Sequence, residues 1–327
     1  MPGITLSHPA SLRSFRVNLL SWYRTHHRKL PWRTTKDPYC IWVSEIMLQQ
    51  TRVAAVLEHY RSFLKSFPTV HRLAAADEAD VLASWSGLGY YRRARMLHRA
   101  AKLVVAEQSG CIPTTAAELR GLPGIGRYTS HAIASIAFGE AVAVVDGNVE
   151  RVLGRMQRKN VSGDQLWSTA QSLLDPDSPG DFNQAIMELG ATICLPGVPL
   201  CERCPVRKYC ASRGSERERS APEKRLRRSS SVMFVRKADA IRLSQRRSDE
   251  RLMPGMWELP EAIDSSSEVP VLSVKHSITT TDWRVNVFTS KRPEAGTEAQ
   301  WVPVADISRL PLTGLTRKIL RKLSVLP

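Results

Sequence analysis

The chain has 327 residues, of which 43% are hydrophobic and 24% are charged. This composition predicts two or three packed domains and excludes a disordered chain. The formal net charge of +16 indicates a polyanionic partner, with nucleic acid as the first candidate and an anionic membrane as the second.

No segment of the sequence has the pattern of a membrane span or of a secretory signal. The most apolar stretch, residues 132–145, contains Gly139 and Glu140 and is shorter than the roughly 20 apolar residues that a bilayer requires. Seven Lys or Arg residues precede the first acid, Asp37, but no apolar core follows them. We therefore expect no transmembrane helix, and a transit peptide is the alternative reading of the basic N-terminus.

Residues 12–174 predict a mainly α region made of short helices. Apolar residues recur at helical spacing, and in residues 43–64 they share one broad face. Pro68, Asp77 and Pro113 each precede a helical segment, with Asp77 as an N-cap.

A domain boundary is predicted at residues 213–230, where basic residues dominate and apolar periodicity is absent. Beyond it, residues 231–327 alternate β-branched or aromatic residues with polar ones and close with the helical segment 315–323. This part predicts a small α+β domain.

Four of the six cysteines crowd into one loop as Cys194-x6-Cys201-x2-Cys204-x5-Cys210. Four thiolates from one loop indicate a soft metal centre in a reducing compartment rather than disulfides. The spacing favours a [4Fe-4S] cluster, since zinc sites usually pair two close Cys-x-x-Cys knuckles, but zinc stays open as the alternative. Arg203 of this loop is a candidate contact for a DNA backbone.

The segment LPGIGRYT, residues 122–129, predicts a phosphate site. Gly124 and Gly126 permit the conformations that turn successive N–H groups outward, and a helix is expected to begin near Arg127. A plain connector between two helices is the alternative reading.

Two carboxylates can each be read in two ways. Asp146 follows an apolar run and precedes Gly147-Asn148, so it is either a helix cap or a group that supports positive charge on a substrate. Glu45 lies in the most apolar helical segment and is either salt-bridged or desolvated with a raised pKa.

Together these carboxylates suit cleavage of a glycosidic bond, which needs one protonated acid and one ionised carboxylate. A base inside a duplex must first be flipped out, and aromatic or amide side chains then fill the vacated stack. Gln49, Gln50 and Tyr90 are candidates for that role, with core packing as the alternative for Tyr90.

At this point the chain resembles the helix-hairpin-helix DNA glycosylases with an iron-sulfur cluster, and within them the adenine DNA glycosylases of the MutY family. The similarity runs from about Leu12 to Cys210 through LPWR, WVSEIMLQQT, GLGYYRRAR, LPGIGRYT, VDGNVERVL and the four cysteines. It implies a two-lobed helical core, residues 1–212, with a six-helix hairpin lobe at about 32–138 and a cluster lobe at about 8–31 and 139–212. It also implies a monomeric enzyme that excises adenine mispaired with 8-oxoguanine or guanine in double-stranded DNA.

The resemblance carries roles to individual positions. Glu45 becomes the acid that protonates adenine N7, Asp146 the carboxylate that stabilises the sugar cation, and Asn148 the group that holds Asp146. The positions that match the adenine pocket are Trp32, Arg33, Leu48 and Glu188. The positions that match the family's DNA-binding residues are Gln49, Gln50, Tyr90, Leu122, Gly124, Gly126, Arg127 and Arg203. The resemblance also implies a monovalent cation at the hairpin.

Tyr128 occupies the position at which the related endonuclease III-like lyases carry a lysine. That lysine forms a Schiff base with the sugar, which a tyrosine cannot do. The resemblance therefore implies a monofunctional enzyme, with Tyr128 lining the sugar pocket and helix packing as its alternative role.

The last part of the chain, residues 231–327, resembles the Nudix-like domain of the same family but lacks the glutamate-rich Nudix box. In the family a Phe-Ser-His element after a histidine senses 8-oxoguanine. Here His276 is followed at the aligned positions by Ile278, Thr279 and Thr280, so we expect lesion discrimination to be weaker or differently built.

Two other interpretations stay open at this stage. One is a lyase acting on oxidised pyrimidines, and the other is a catalytically silent DNA-binding module. The expected location is the cytoplasm of a bacterium, at the nucleoid.

Overall fold

The computed structural model describes residues 9–158, 162–213, 225–247, 249–250, 252–262, 269–278, 280–289 and 299–326. Thirteen α-helices lie in these ranges: α1 Pro9–His26, α2 Pro38–Leu48, α3 Val53–Ser66, α4 Val70–Ala74, α5 Glu78–Ser84, α6 Arg92–Gln108, α7 Ala116–Leu119, α8 Arg127–Phe138, α9 Gly147–Gln157, α10 Gly163–Leu173, α11 Pro179–Thr192, α12 Val304–Ile307 and α13 Gly314–Lys322. The strands are β1 Leu226–Phe234, β2 Arg236–Lys237, β3 Ala240–Gln245, β4 Trp257–Glu258, β5 Leu272–Ile278, β6 Thr281–Thr289 and β7 Ala299–Pro303. The helical first part and the α+β end of the chain are therefore as predicted.

The apolar face predicted for residues 43–64 is divided between two helices. α2 ends at Leu48 and α3 begins at Val53. Between them Gln50 has a φ of 54°, which is left-handed backbone and interrupts a helix. The apolar spacing carries on across this break, so the sequence did not reveal that the face belongs to two helices.

The described chain packs as two compact units. The first contains the described residues of Met1–Tyr60, Thr69–His71 and Arg99–Ser220. The second contains those of Arg61–Pro68, Arg72–His98 and Ala221–Pro327. Two segments of the helical region thus pack with the C-terminal strands, whereas the boundaries predicted from the sequence follow chain order and stay a prediction. Residues 214–224 of the predicted linker lie outside the described residues.

α11 is the central helix of the first unit and packs against α1, α8 and α9. Its glycines permit close approach: a Cβ at Gly180 would lie 2.6 Å from the Ser135 carbonyl oxygen, and one at Gly190 would lie 2.6 Å from Cβ of Asn148. Since real Cβ atoms do not tolerate such contacts, these two positions require glycine. Gly190 brings the first turn of α9 directly against α11.

Local signals in the sequence fix where the helices of the site begin. Asp37 caps α2, with its carboxylate accepting from the N–H groups of Tyr39 and Cys40, and Pro38 occupies the first turn. α8 begins at Arg127 and α9 directly after Asp146. The starts of α8 and α9 confirm the predicted ones. Together the three starts place Glu45 on α2, Tyr128 on α8 and Asp146 at the N-cap of α9.

The second unit contains two small sheets. In one, β6 pairs with β1 in parallel and with β5 in antiparallel register; in the other, β3 pairs with β2, β4 and β7. The core between them is apolar and includes Ile241, Leu243, Val285, Val287 and Ile319. Among the described residues, no helix is both long and apolar enough to cross a membrane.

Candidate active site

Glu45 is a buried carboxyl group in an apolar helix. It is 5% exposed, and its neighbours on α2 are buried as well. Burial raises its pKa from 4.5 to about 7, helped by the negative charge of Asp146, while a hydrogen bond from Tyr128 and the charge of Arg33 act in the opposite direction. Oε2 of Glu45 has no hydrogen-bond partner among the described residues. Of the two readings that the sequence left open, desolvation with a raised pKa is the one that the structure shows.

Asp146 lies in a polar setting at the start of α9. Its Oδ1 accepts from the backbone N–H groups of Asn148 at 2.9 Å and Val149 at 2.8 Å, and its Oδ2 accepts from Nδ2 of Asn148 at 2.8 Å. These bonds make it a helix cap. They also fix the direction of its carboxylate, so the cap does not exclude a chemical role.

Arg151 connects Asn148 to α11 and the cysteine loop. Its Nη2 donates to Oδ1 of Asn148 and to the carbonyl of Gly190, both at 2.8 Å, and its Nε donates to the carbonyl of Cys194 at 2.8 Å. Asn148 accepts on one side and donates to Asp146 on the other, which determines its amide orientation.

The Tyr128 hydroxyl contacts both Met187 of α11 and the carboxyl group of Glu45. It lies 3.2 Å from Sδ of Met187 and forms the hydrogen bond that lowers the pKa of Glu45. A hydroxyl can donate only one hydrogen bond, and sulfur is a weak acceptor. When Glu45 is ionised, it therefore accepts that hydrogen bond in preference to Met187. Burial, Glu45 and Asp146 together raise the pKa of Tyr128 well above its usual value, which keeps the phenol neutral.

Glu188 is fully buried and held by two arginines. Arg28 donates from Nε and Nη2 at 2.8 and 2.7 Å, and Arg33 donates from Nη2 at 2.8 Å. These bonds outweigh the cost of burial and lower the pKa of Glu188 to about 2. Trp32, matched to the same pocket, is buried against Tyr60, and Leu48 is half-buried.

The hairpin between α7 and α8 presents its two glycines at the surface. Gly124 has a φ of 79°, and Gly126 is the N-cap of α8 with no side chain capping that helix. The first-turn N–H groups are therefore available to an anion. Arg127 is engaged elsewhere: it pairs with Asp164 at 3.0 Å and lies over the ring of Trp167. The side chain of Leu122 is buried, so only its backbone is open to a ligand.

Three further residues predicted to contact a ligand lie at the end of α2 and in the cysteine loop. Gln49 donates to the Thr129 hydroxyl at 3.2 Å, which ties the end of α2 to α8. Gln50 is exposed in its left-handed conformation, and Arg203 is exposed as well. The structure thus leaves Gln50 and Arg203 open to a ligand and fastens Gln49 to the protein.

The four cysteines Cys194, Cys201, Cys204 and Cys210 line one pocket. Apolar residues of α9 and α11 form its inner wall, and Arg155 donates to Sγ of Cys194 at 3.3 Å and to the carbonyl of Leu195 at 2.7 Å. Within the described ranges, no group of three or more His, Cys, Asp or Glu residues is arranged to hold a single metal ion.

The residues predicted to read the opposing base belong to the second unit. Tyr90 is 45% exposed with a φ of 50°. His276 lies on β5 and pairs with Trp283 of β6, and Thr280 is exposed at the turn between these strands. The side chain of Ile278, and Thr279 entirely, lie outside the described residues.

Sequence reasoning missed Arg28, Met187 and the pair Arg151 and Arg155. The last two are four residues apart on α9 and therefore share a face, a spacing that marks them as a pair. Nothing local marks Arg28 or Met187, since their partners lie far away in the chain.

Comparison with known proteins identifies the family to which this chain belongs. The HhH-GPD superfamily of base excision DNA repair proteins matches residues 43–190. A solved structure of a thermostable thymine-DNA glycosylase is 30% identical, with a TM-score of 0.59 over 62% of this chain and 97% of that one. This chain belongs to the HhH-GPD superfamily. The matched residues include Glu45, the hairpin, Asp146 and Glu188.

Curated relatives within the superfamily carry the name adenine DNA glycosylase. The human protein is 49% identical over 219 residues, which is 62% of this chain and 40% of the human one. The Arabidopsis thaliana protein is 38% identical over 301 residues, 77% of this chain and 48% of its own. The chain therefore spans less than half the length of either relative.

The Glu188 ion pairs predict a pH-dependent contribution to stability. A carboxyl group with a lowered pKa stabilises the fold above its unfolded pKa, and this stabilisation is lost as the pH falls through the folded pKa. We expect Glu188→Gln to lower the free energy of unfolding at pH 7 by about 3 kcal/mol. The difference between parent and variant should narrow as the pH falls from about 4.5 towards about 2. Urea unfolding followed by circular dichroism measures it.

The matched control is Asp164→Asn, which removes the exposed carboxylate that pairs with Arg127. Surface pairs contribute little, so this variant should unfold like the parent at every pH. Equal stability of parent and Glu188→Gln at pH 7 would contradict the prediction.

Proposed function

We propose that this chain is a monofunctional DNA glycosylase that excises adenine opposite 8-oxoguanine or guanine by hydrolysing the N-glycosidic bond, in base excision repair. The observation that supports it most is Glu45, a buried acid whose pKa of about 7 keeps much of it protonated at neutral pH. Its Oε2 has no hydrogen-bond partner in the part of the chain that the structure describes. The choice of adenine as the excised base rests on the names of the curated relatives.

In this proposal Glu45 gives its proton to N7 of a flipped adenine, which makes the base a better leaving group. Positive charge then develops on the sugar, and Asp146 stabilises it. The cap bonds and Asn148 hold the Asp146 carboxylate in one orientation throughout, so no reorganisation is needed when the charge appears.

Water completes the reaction because no amine is available at residue 128. Tyr128 stays neutral and donates a hydrogen bond to Glu45, and a phenol forms no Schiff base. The product is an abasic site in an uncut strand.

The substrate assay uses a labelled duplex with adenine opposite either 8-oxoguanine or guanine. Base loss that needs alkali to break the strand supports the proposal. Direct strand cleavage supports a lyase, and binding without base loss supports a silent binding module. A duplex with adenine opposite thymine is the control and should stay intact.

Glu45→Gln should abolish excision while mismatch binding is retained, because the amide keeps the shape of the acid but has no proton to give. In the parent, the single-turnover rate should fall as the pH rises through about 7, by about tenfold per pH unit at higher pH. The sign follows from the raised pKa, since the protonated, active form is the one that disappears.

A stability measurement provides an independent check on Glu45. Its pKa is higher when folded than when unfolded, so the parent loses stability as the pH rises from about 4.5 to about 7. The Gln variant lacks this penalty and should be the more stable protein at pH 8. Excision by Glu45→Gln, or a flat pH profile in the parent, would refute its role as acid.

The variant Asp146→Asn distinguishes a role of Asp146 as a helix cap from a role in catalysis. Asn keeps the cap bonds from the N–H groups of Asn148 and Val149 but loses the bond from Nδ2 of Asn148, so the variant should fold like the parent with a slightly lower melting temperature. The loss of charge should lower the excision rate by several orders of magnitude. An active Asp146→Asn enzyme would reduce Asp146 to a cap.

We further propose that Cys194, Cys201, Cys204 and Cys210 hold a [4Fe-4S] cluster. Their thiols line one pocket with an apolar inner wall, and thiolates are the donors that such clusters take. The cluster would cross-link the loop that carries Arg203. Arg151 and Arg155 fasten the same loop to α9 through the carbonyls of Cys194 and Leu195.

Anaerobically purified protein should contain iron and sulfide in equal amounts, about four of each per chain, with no stoichiometric zinc. Cys204→Ser should lower the iron content and the melting temperature. Cys111→Ser is the control, since Cys111 is exposed and outside the set. Zinc at one per chain in the parent would favour the alternative metal.

A further inference from the structure

The loop that carries Tyr90, residues 86–91, has an unusual backbone. Gly87 and Gly89 have φ values of 107° and 70°, and Tyr90 itself has a φ of 50°. A non-glycine residue in left-handed backbone is strained and persists only where its surroundings hold it. The ring of Tyr90 is nevertheless 45% exposed, so its own contacts do not bury it.

The residues on both sides of Tyr90 are anchored to one distant carbonyl. The Tyr91 hydroxyl donates to the carbonyl oxygen of Leu312 at 2.9 Å, and the Ser86 hydroxyl donates to the same oxygen at 3.1 Å. Nε of Arg317 donates to Oγ of Ser86 at 2.8 Å. Ser86, Tyr91 and Leu312 are all buried, so water does not compete for these bonds.

The carbonyl is itself held in place by the C-terminal fold. Leu312 forms a bridge with Trp257 of β4, and the N–H of Thr313 donates to the Trp257 carbonyl at 2.9 Å. Thr313 then caps α13, the helix that carries Arg317. The anchor is therefore a rigid strand-to-helix junction.

The exposed side of the loop is braced by Arg93. Its guanidinium lies 5.5 Å from the ring centroids of both Trp85 and Tyr90, and Nη2 donates to the Gly89 carbonyl at 3.0 Å. Nε1 of Trp85 donates to that carbonyl at 3.2 Å. With its backbone fixed on both sides, the Tyr90 ring projects from a preorganised loop.

We propose that Ser86, Tyr91 and Arg317 are positioning residues that act through Tyr90 and set how well the protein distinguishes a mispair from a matched duplex. The inference rests on the proposed function and on the role predicted from the sequence for Tyr90, which is to fill the base stack once adenine has flipped out. A ring that enters a base stack binds better when its loop is ordered beforehand, because no ordering cost arises on binding. Release from Leu312 would let the loop leave the strained conformation.

The test measures binding in the Glu45→Gln background, so that the DNA is not consumed. Dissociation constants are determined for a duplex with adenine opposite 8-oxoguanine and for the same duplex with adenine opposite thymine. We expect Tyr91→Phe and Arg317→Met each to lower the ratio of the two constants about three- to tenfold, which is the effect of losing one buried hydrogen bond.

Tyr209→Phe is the matched control. Tyr209 is as buried as Tyr91, and its hydroxyl has no hydrogen-bond partner among the described residues, so the ratio should not change. In a Tyr90→Ala background, Tyr91→Phe should cause no further loss, because the residue through which it acts is gone. A purely structural role would instead lower the melting temperature and leave the ratio as in the parent.

An unchanged ratio in Tyr91→Phe and Arg317→Met, or a further loss in the Tyr90→Ala background, overturns the inference. The parent with Glu45 intact is assayed for adenine excision in parallel. Excision by the parent together with an unchanged ratio defeats this inference alone, whereas absence of excision defeats the proposed function on which it rests.

Discussion

The desolvation of Glu45 is the constraint on which the site depends. A carboxyl group in an apolar helix loses hydration that the charged form needs, so burial raises its pKa to about 7. Tyr128 donates to it and Arg33 attracts it, yet neither offsets the burial. The protein therefore retains a group that weakens its own stability at neutral pH, and carboxyl groups perturbed in this way are concentrated at functional sites.

Three carboxyl groups of the first unit have different hydrogen-bond partners and so differ in chemical environment. Among the described residues, no Lys, Arg or His forms an ion pair with Glu45, whereas Asp146 accepts from N–H groups at a helix start and Glu188 accepts from two arginines. The arrangement also couples them. Arg33 lowers the pKa of Glu45, and its bond to Glu188 places a negative charge beside that cation. Glu188 thereby limits the effect of Arg33 and helps keep Glu45 protonated.

The sequence predicted features that local chemistry determines. Apolar spacing located α2, a carboxylate before Gly147 located the start of α9, and the hairpin glycines located the start of α8. It could not predict partners that meet only after folding: Arg33 and Glu188 are 155 positions apart, and Ser86 and Leu312 are 226 apart. It also missed the break at Gln50, because periodicity reports which faces are apolar and not whether the backbone is continuous.

The residues proposed for chemistry and those proposed for reading the opposing base belong to different packing units. Glu45, Asp146, Tyr128 and Glu188 lie in the first, while Tyr90, His276 and Thr280 lie in the second. Tyr128, Asp146 and Arg33, which act on the pKa of Glu45, all belong to its own unit. In the proposed function, a change at the positions proposed to read the opposing base would therefore leave the pKa of the proposed acid as it is. The departure from the family pattern after His276 is thus compatible with the proposed roles of Glu45 and Asp146.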